Sequence, residues 1–414
     1  MAQTFLFVIL LIIVAEYLLD RFLDALNKRA WVDKVPGELT DVYPSEKFEK
    51  HKKYRMVNYN FGLWTGIFNL ALIFFMLRYE GFAMVDDWAV SISTNSIWRA
   101  LIFFGIIGLA STIIHLPFSW YSTFVIEEKF GFNTTTIKTF WLDTIKGLLL
   151  GAIIGGPIMA LIIWFYQLTG EWFWIYAWIL VGAFTIFMTM FYTSLILPLF
   201  NKQTPLEDGE LRDAIESFSE KAGFKLDNIF VMDGSKRSTK ANAFFSGLGS
   251  RKRIVLYDTL INDLATEEIV AVLAHEVGHY KLKHTLTGTI LGLLQTGIIL
   301  YIFSLVVGNP DFSLALGVNE PQFHIGLITF GLLFSPISTI VGLLVNVMSR
   351  KNEFAADKYA SNYSNGEKLI SALKTISANA LSNPTPHPVY VFFHYSHPPL
   401  LKRIEAIRKF KNNN

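Results

Sequence analysis

Apolar residues in this chain gather in seven long runs, at positions 4–23, 61–77, 100–121, 148–168, 173–197, 286–307 and 323–347. A helix needs about 20 apolar residues to cross the hydrocarbon core of a bilayer, and each run is close to that length. The pattern predicts a predominantly α, polytopic membrane protein with seven transmembrane helices. Pro157 and Pro336 fall inside runs, where kinks are tolerated because neighbouring groups satisfy the freed backbone. The first run lacks a basic n-region and a small-residue cleavage site, and it continues into Asp20, Arg21 and Phe22, unlike a cleaved signal peptide. Four segments follow: a membrane part with spans one to five (1–199), a polar loop (200–285), spans six and seven (286–348), and a polar C-terminal segment (349–414).

The connections alternate in charge. Nine Lys and Arg lie between Arg21 and Arg55, whereas the second connection has only Arg78 and Arg99. The third carries Lys129, Lys138 and Lys146, and the fourth and sixth have none. The fifth connection and the C-terminal tail are rich in basic residues. By the positive-inside rule the N-terminus is outside, and both polar segments face the cytoplasm. Composition agrees: the 414 residues are 52% hydrophobic with 10 Trp, 16 Tyr and 36 Phe, too apolar for an ordinary soluble protein. A net charge of only +2 gives no reason to expect a nucleic-acid partner. The absence of Cys excludes disulfides, thiolate metal ligands, a Cys nucleophile and prenylation of this chain itself. The cysteine-free chain and compact loops read as bacterial.

The second polar segment holds His275-Glu276-Val277-Gly278-His279, an H-E-x-x-H sequence. On a helix, residues four apart share a face, so two imidazoles can hold one Zn²⁺ while Glu276 serves as general base. The flanks predict that helix: Thr266 as N-cap, Glu267 and Glu268 in the first turn, then Ile269, Val270, Val272 and Leu273. A third ligand should lie downstream, and Glu353 is the choice. Asp357, one turn on, would accept the free N–H of a ligand imidazole and fix its tautomer. The alternative is a solvated acidic pair beside Arg350, Lys351 and Lys358. His284, five residues past His279, sits about 140° around a continuous helix and should face elsewhere as a structural or interfacial histidine.

Two strand-like runs, 228–232 and 253–257, precede the motif, and a third short candidate, 241–245, lies between them near Gly247 and Gly249. An exposed strand edge there could pair with extended peptide. Asn242 and Ala243 would then touch substrate, although a turn Asn is the plainer reading of spacing alone. Near the C-terminus, Tyr395-Ser396-His397-Pro398-Pro399 precedes a helical run, 400–410. His397 could donate to an oxyanion and Arg403 could orient the substrate carbonyl, though each alone reads more readily as structural.

Together these segments resemble the type I CAAX prenyl protease family of membrane zinc endopeptidases. The resemblance rests on 116–133, Pro198-Leu199-Phe200-Asn201, 232–238, Asn242-Ala243-Phe244-Phe245, 255–260, the H-E-x-x-H motif, Glu353-Phe354-Ala355-Ala356-Asp357 and Ser396-His397-Pro398-Pro399, in order along nearly the whole chain. It implies that His275, His279 and Glu353 bind one zinc ion and that Glu276 is the base. It further implies that Asp357 stands behind the ligands and that Asn242, His397 and Arg403 surround the scissile peptide. It also implies seven kinked spans around a large water-filled chamber, and a metalloprotease domain with a small β-sheet. Glu16, within the first span, is compatible with a polar lining.

The family's Asn-Ala-Tyr-Phe is Asn242-Ala243-Phe244-Phe245 here, the 53–59 segment is looser than the consensus, and no dilysine signal ends the chain. The expected partners are the bilayer and a peptide or protein substrate, prenylated or otherwise membrane-associated. Two rival functions remain at this level: a membrane quality-control protease, and a transport or lipid-binding chamber with a structural metal.

Overall fold

The computed structural model describes residues 1–223, 229–247 and 253–412; Asn228 and Gly249, used above to bound strands, lie outside them. The chain begins with α1 (Ala2–Arg29), α2 (Ser45–Arg78), α3 (Gly81–Ile92) and α4 (Ser96–Tyr121). A π-helical turn at Ser122–Glu127 ends α4 and leads to α5 (Ile137–Leu150), α6 (Gly156–Thr169), α7 (Phe173–Leu195) and the one-turn α8 (Leu197–Phe200). β1 (Gln203–Pro205), α9 (Glu210–Lys221), β2 (Ile229–Met232), β3 (Ala243–Ser246) and β4 (Arg253–Tyr257) follow. Next come α10 (Asp258–Asp263), α11 (Thr266–Lys281), α12 (His284–Ser304) and α13 (Pro310–Leu314). The chain closes with α14 (Phe323–Tyr363), α15 (Gly366–Asn379), α16 (Pro388–His394) and α17 (Leu400–Asn412).

Six helical stretches among the described residues are long and apolar enough to span a membrane. One of them, Ile137–Phe200, is 64 residues long and contains two of the seven expected spans. Gly170, at φ +53°, turns the chain between α6 and α7 where no connecting loop of regular length exists. Only 6% of the apolar window is buried in four of the six stretches, and 11% and 17% in the last two. Neighbouring spans nevertheless pack on one another, α7 on α6 and α12, and α1 on α2 and α14. Two ends are distinct. At one, the Met1 ammonium lies 3.9 Å from Asp311, and Gly317 packs on Glu80. At the other, Arg408 of α17 pairs with Glu38 at 2.9 Å, and Lys374 of α15 with Asp41 at 3.1 Å. The first connection therefore joins the polar segments.

The sheet has the order β1-β2-β4-β3, with β2 and β4 parallel and both outer pairs antiparallel. β3 is an edge strand. The buried centre of this half is formed by Ile254, Leu256 and Leu260 against Leu273, Ala274 and Val277 of α11. Leu369 and Ile370 of α15 and Ile404 and Ile407 of α17 close it from the far side. Leu39, Tyr43 and Phe48 of the first connection belong to the same core. Apolar packing thus fixes α11 beside its polar site, as its Val- and Ala-rich sequence requires.

α14 is one helix of 41 residues, about 60 Å long, so it crosses the membrane and continues well beyond it. Where it meets α11, Gly278 makes close approach possible. A Cβ on Gly278 would lie 3.1 Å from Tyr359 and 3.2 Å from the Ala356 backbone. The glycine inside H-E-x-x-H thus sets the distance between the two helices that carry the polar site.

Candidate metal centre and cleft

α11 begins one residue earlier than a Thr266 cap would put it: Ala265 is the N-cap, and its N–H donates to the Glu268 carboxylate at 3.0 Å. That is half of a capping box, since alanine has no side-chain acceptor to return the bond. One turn apart on the buried face, His275 and His279 bring their Nε2 atoms to 3.1 Å. Glu353 of α14 faces both, with Oε2 3.4 Å from His275 Nε2 and Oε1 3.2 Å from His279 Nε2. Among the described residues these three form the one His/Asp/Glu cluster able to hold a metal ion.

The residues fit a zinc ion on two counts. Ligands about 2.0–2.1 Å from a tetrahedral metal stand about 3.3 Å from one another, and these atoms are separated by 3.1, 3.2 and 3.4 Å. Glu353 Oε2 is also buried with no hydrogen-bond partner among the described residues, a costly arrangement unless a cation completes it. Protons compete for the same place. Burial would depress His275, but the Asp357 carboxylate at its Nδ1 and the Glu353 carboxylate facing its Nε2 push it up to about 9.

A second layer fixes the first. Asp357 is fully buried, and its Oδ1 lies 2.9 Å from His275 Nδ1, leaving Nε2 for the metal. Arg403 of α17 grips the same carboxylate with Nε at 2.9 Å and Nη2 at 2.6 Å, while its Nη1 lies 3.5 Å from Glu353. Burial works against the Arg403 charge, yet the Asp357 carboxylate beside it raises its pKa further. His284 corrects the expectation drawn from continuous helix geometry. Lys283, at φ +59°, breaks the chain between α11 and α12. The break returns the His284 ring to His279, with Nδ1 atoms 3.0 Å apart. His279 thereby has its own orienting partner.

A cavity of about 310 Å³ opens beside this centre. His275, Glu276, His279 and Glu353 form one wall, and His397 and Arg403 reach it from the C-terminal segment. Glu276 makes no hydrogen bond or ion pair with the described residues, and burial raises its pKa above the ordinary carboxylate value. The His397 side chain is exposed, its Nε2 lies 3.4 Å from Glu353 Oε1, and its Nδ1 is 2.9 Å from the Ser396 hydroxyl.

The opposite wall is the β3 edge, with Asn242, Ala243 and Phe244. The Asn242 side-chain oxygen accepts from the Ala243 N–H at 2.9 Å, while its carbonyl accepts from Tyr257 N–H at 3.1 Å. Asn242 is therefore both a turn residue and a residue of the edge. Sequence reasoning missed the apolar end of the cavity: Leu260, Val272, and Leu369, Leu373 and Ile376 of α15. The last three recur at helical spacing, a signal that ordinarily means core packing.

Two family profiles cover the chain: "CAAX prenyl protease N-terminal, five membrane helices" over 26–202 and "Peptidase family M48" over 205–411. CAAX prenyl protease 1 of Saccharomyces cerevisiae is 36% identical over 400 residues, 90% of this chain and 88% of that protein. The CAAX prenyl protease 1 homolog of Arabidopsis thaliana is 38% identical, covering 98% of each. Among solved structures, the crystal structure of S. mikatae Ste24p superposes with a TM-score of 0.93 at 35% identity, covering 97% of this chain and 99% of that one.

Proposed function

Because this chain belongs to peptidase family M48, as an integral multi-pass membrane zinc metalloendopeptidase of the CAAX prenyl protease kind, we propose that the centre on α11 and α14 cuts peptide bonds near the C-terminus of prenylated substrates. His275, His279 and Glu353 would hold the zinc ion. Bound there, zinc supplies Lewis acidity to the reacting centre.

The chain's own residues do the rest. Glu276, free of protein partners in the cavity, takes the proton of the attacking water and returns it to the departing amine. Its raised pKa suits both transfers. His397 donates to the oxyanion of the tetrahedral intermediate. Arg403 is committed to Asp357 and reaches towards Glu353, so it acts by holding the ligands rather than by touching the carbonyl. The substrate backbone lies along the open edge of β3, with Asn242 and Ala243 as its nearest contacts.

The observation that carries the substrate reading is the apolar end of the cavity, Leu369, Leu373 and Ile376 with Leu260 and Val272. Aliphatic side chains beside the scissile bond would fill it, and aliphatic residues are what a C-a-a-X tail offers. The loop charges support a catalytic half facing the cytoplasm, in the inner membrane of a bacterium or the endoplasmic reticulum of a eukaryote. A fluorogenic farnesylated C-a-a-X peptide, its unprenylated twin and Glu276→Gln test the reading. Cleavage confined to the farnesylated peptide and abolished in the variant is expected. Equal cleavage of both peptides would make this a general membrane endoprotease instead.

A further inference from the structure

A second groove, of about 560 Å³, lies between α17 and the stretch of α14 where its apolar run ends, residues 347–354, outside the metal site. Arg350, Lys351, Lys402 and Lys409 rim it, with Glu405 as the single acid, so its formal charge is strongly positive. Its floor is apolar, from Phe354, Pro398 and Pro399.

Its cations differ in freedom. Lys402 and Lys409 share the Glu405 carboxylate at 3.3 and 2.7 Å. The Lys351 ammonium has no partner among the described residues. Arg350 is held in place because its Nη1 donates to the carbonyls of Val391 and Tyr395, which leaves Nε and Nη2 without partners among the described residues.

Position identifies the occupant. The apolar run of the seventh span stops at Val347, which itself lines the groove, so the groove opens at the depth of lipid headgroups. Phe392 and Val389 of the adjoining α16 are exposed, as apolar groups are where acyl chains replace water.

We propose that this groove binds the phosphate headgroup of an anionic phospholipid. One immobilised guanidinium and one unpaired ammonium meet the phosphate oxygens, and Lys402 and Lys409 add the field that favours a net negative headgroup. The apolar floor takes the glycerol and the first methylenes. The floor prolines follow His397 directly, and Arg350 grips the carbonyl of Tyr395, two residues before it. Lipid in the groove therefore stiffens the loop that carries His397.

Full-length protein is equilibrated in phosphatidylcholine liposomes with and without phosphatidylglycerol, extracted in detergent, and its retained lipid quantified by mass spectrometry. Wild type should retain phosphatidylglycerol over phosphatidylcholine, and Lys351→Gln should lower retention about fivefold. The triple variant Lys351→Gln/Lys402→Gln/Lys409→Gln should abolish the enrichment, whereas Glu405→Gln should increase it. Equal retention by wild type and the triple variant, with zinc content unchanged, would overturn the proposal. No increase in Glu405→Gln would do the same. Displacement of the lipid by equimolar glycerol phosphate or inorganic phosphate would reassign the groove to a soluble phosphate.

Discussion

At the scale of single residues, the centre is a set of groups each fixed by one other. His275 leans on Asp357, His279 on His284, and Asp357 on Arg403. Glu276 alone is uncommitted. Replacing it by Gln should lower kcat by about 10²–10⁴-fold or more while zinc content stays near one per chain, measured by metal analysis beside turnover. The ionised form of Glu276 is the base, and burial raises its pKa. Activity should therefore be lost as pH falls through that raised value, so the acid limb of kcat/KM lies above the ordinary carboxylate range. An acid limb at the ordinary Glu pKa would contradict the assignment. Asp357→Asn removes the acceptor that holds His275 and leaves Arg403 buried without its carboxylate. Zinc affinity should fall about 10–100-fold, read by competition with a chelating dye. In wild type, zinc must displace the proton that His275 holds with a pKa of about 9, so binding near neutral pH should release it into weak buffer.

At the scale of elements, the packing of α11 on α14 decides the site. The H-E-x-x-H spacing places two imidazoles on one face by local geometry alone. Glu353, 74 positions beyond His279, meets them only because α14 runs unbroken past its span and Gly278 lets the helices touch. Gly278→Val would force side-chain atoms into Tyr359 and Ala356, at a cost of about 1–3 kcal/mol. The expected outcome is a lower thermal midpoint together with weaker zinc binding, because both depend on the same separation. The edge strand is held by a different contact. Lys240, just before Asn242, donates to Glu127 at 2.7 Å and to Tyr54 at 3.2 Å. Arg237 pairs bidentately with Asp143 at 2.7 and 2.9 Å. The membrane helices thus position the strand proposed to carry substrate.

At the scale of the whole molecule, α11, α14 and α17 come from segments separated by two spans and meet at one polar cluster. A zinc ion bound there would tie α11 to α14 directly, with α17 joined through Arg403, so chelation should lower the melting midpoint in detergent and added zinc should restore it. Unchanged melting after complete metal removal would mean that apolar packing alone holds the three helices. Much of this architecture was legible in the chain. Twenty-residue apolar runs have few alternatives to spanning helices, because unpaired backbone groups cannot be left in hydrocarbon. The H-E-x-x-H motif needs only helical periodicity to point to a metal. The resemblance then supplied Glu353 and Asp357, which spacing alone left level with a solvated acidic pair. Tertiary structure decided the remainder. The left-handed Lys283 turned His284 back to His279, where helical counting put it elsewhere. Packing of α15 turned an ordinary apolar stripe into the end of a cavity. Strand order made β3 an edge, and Asp357 drew Arg403 behind the ligands. Periodicity reports which face a residue occupies within its own element, whereas these outcomes depend on which distant element covers that face.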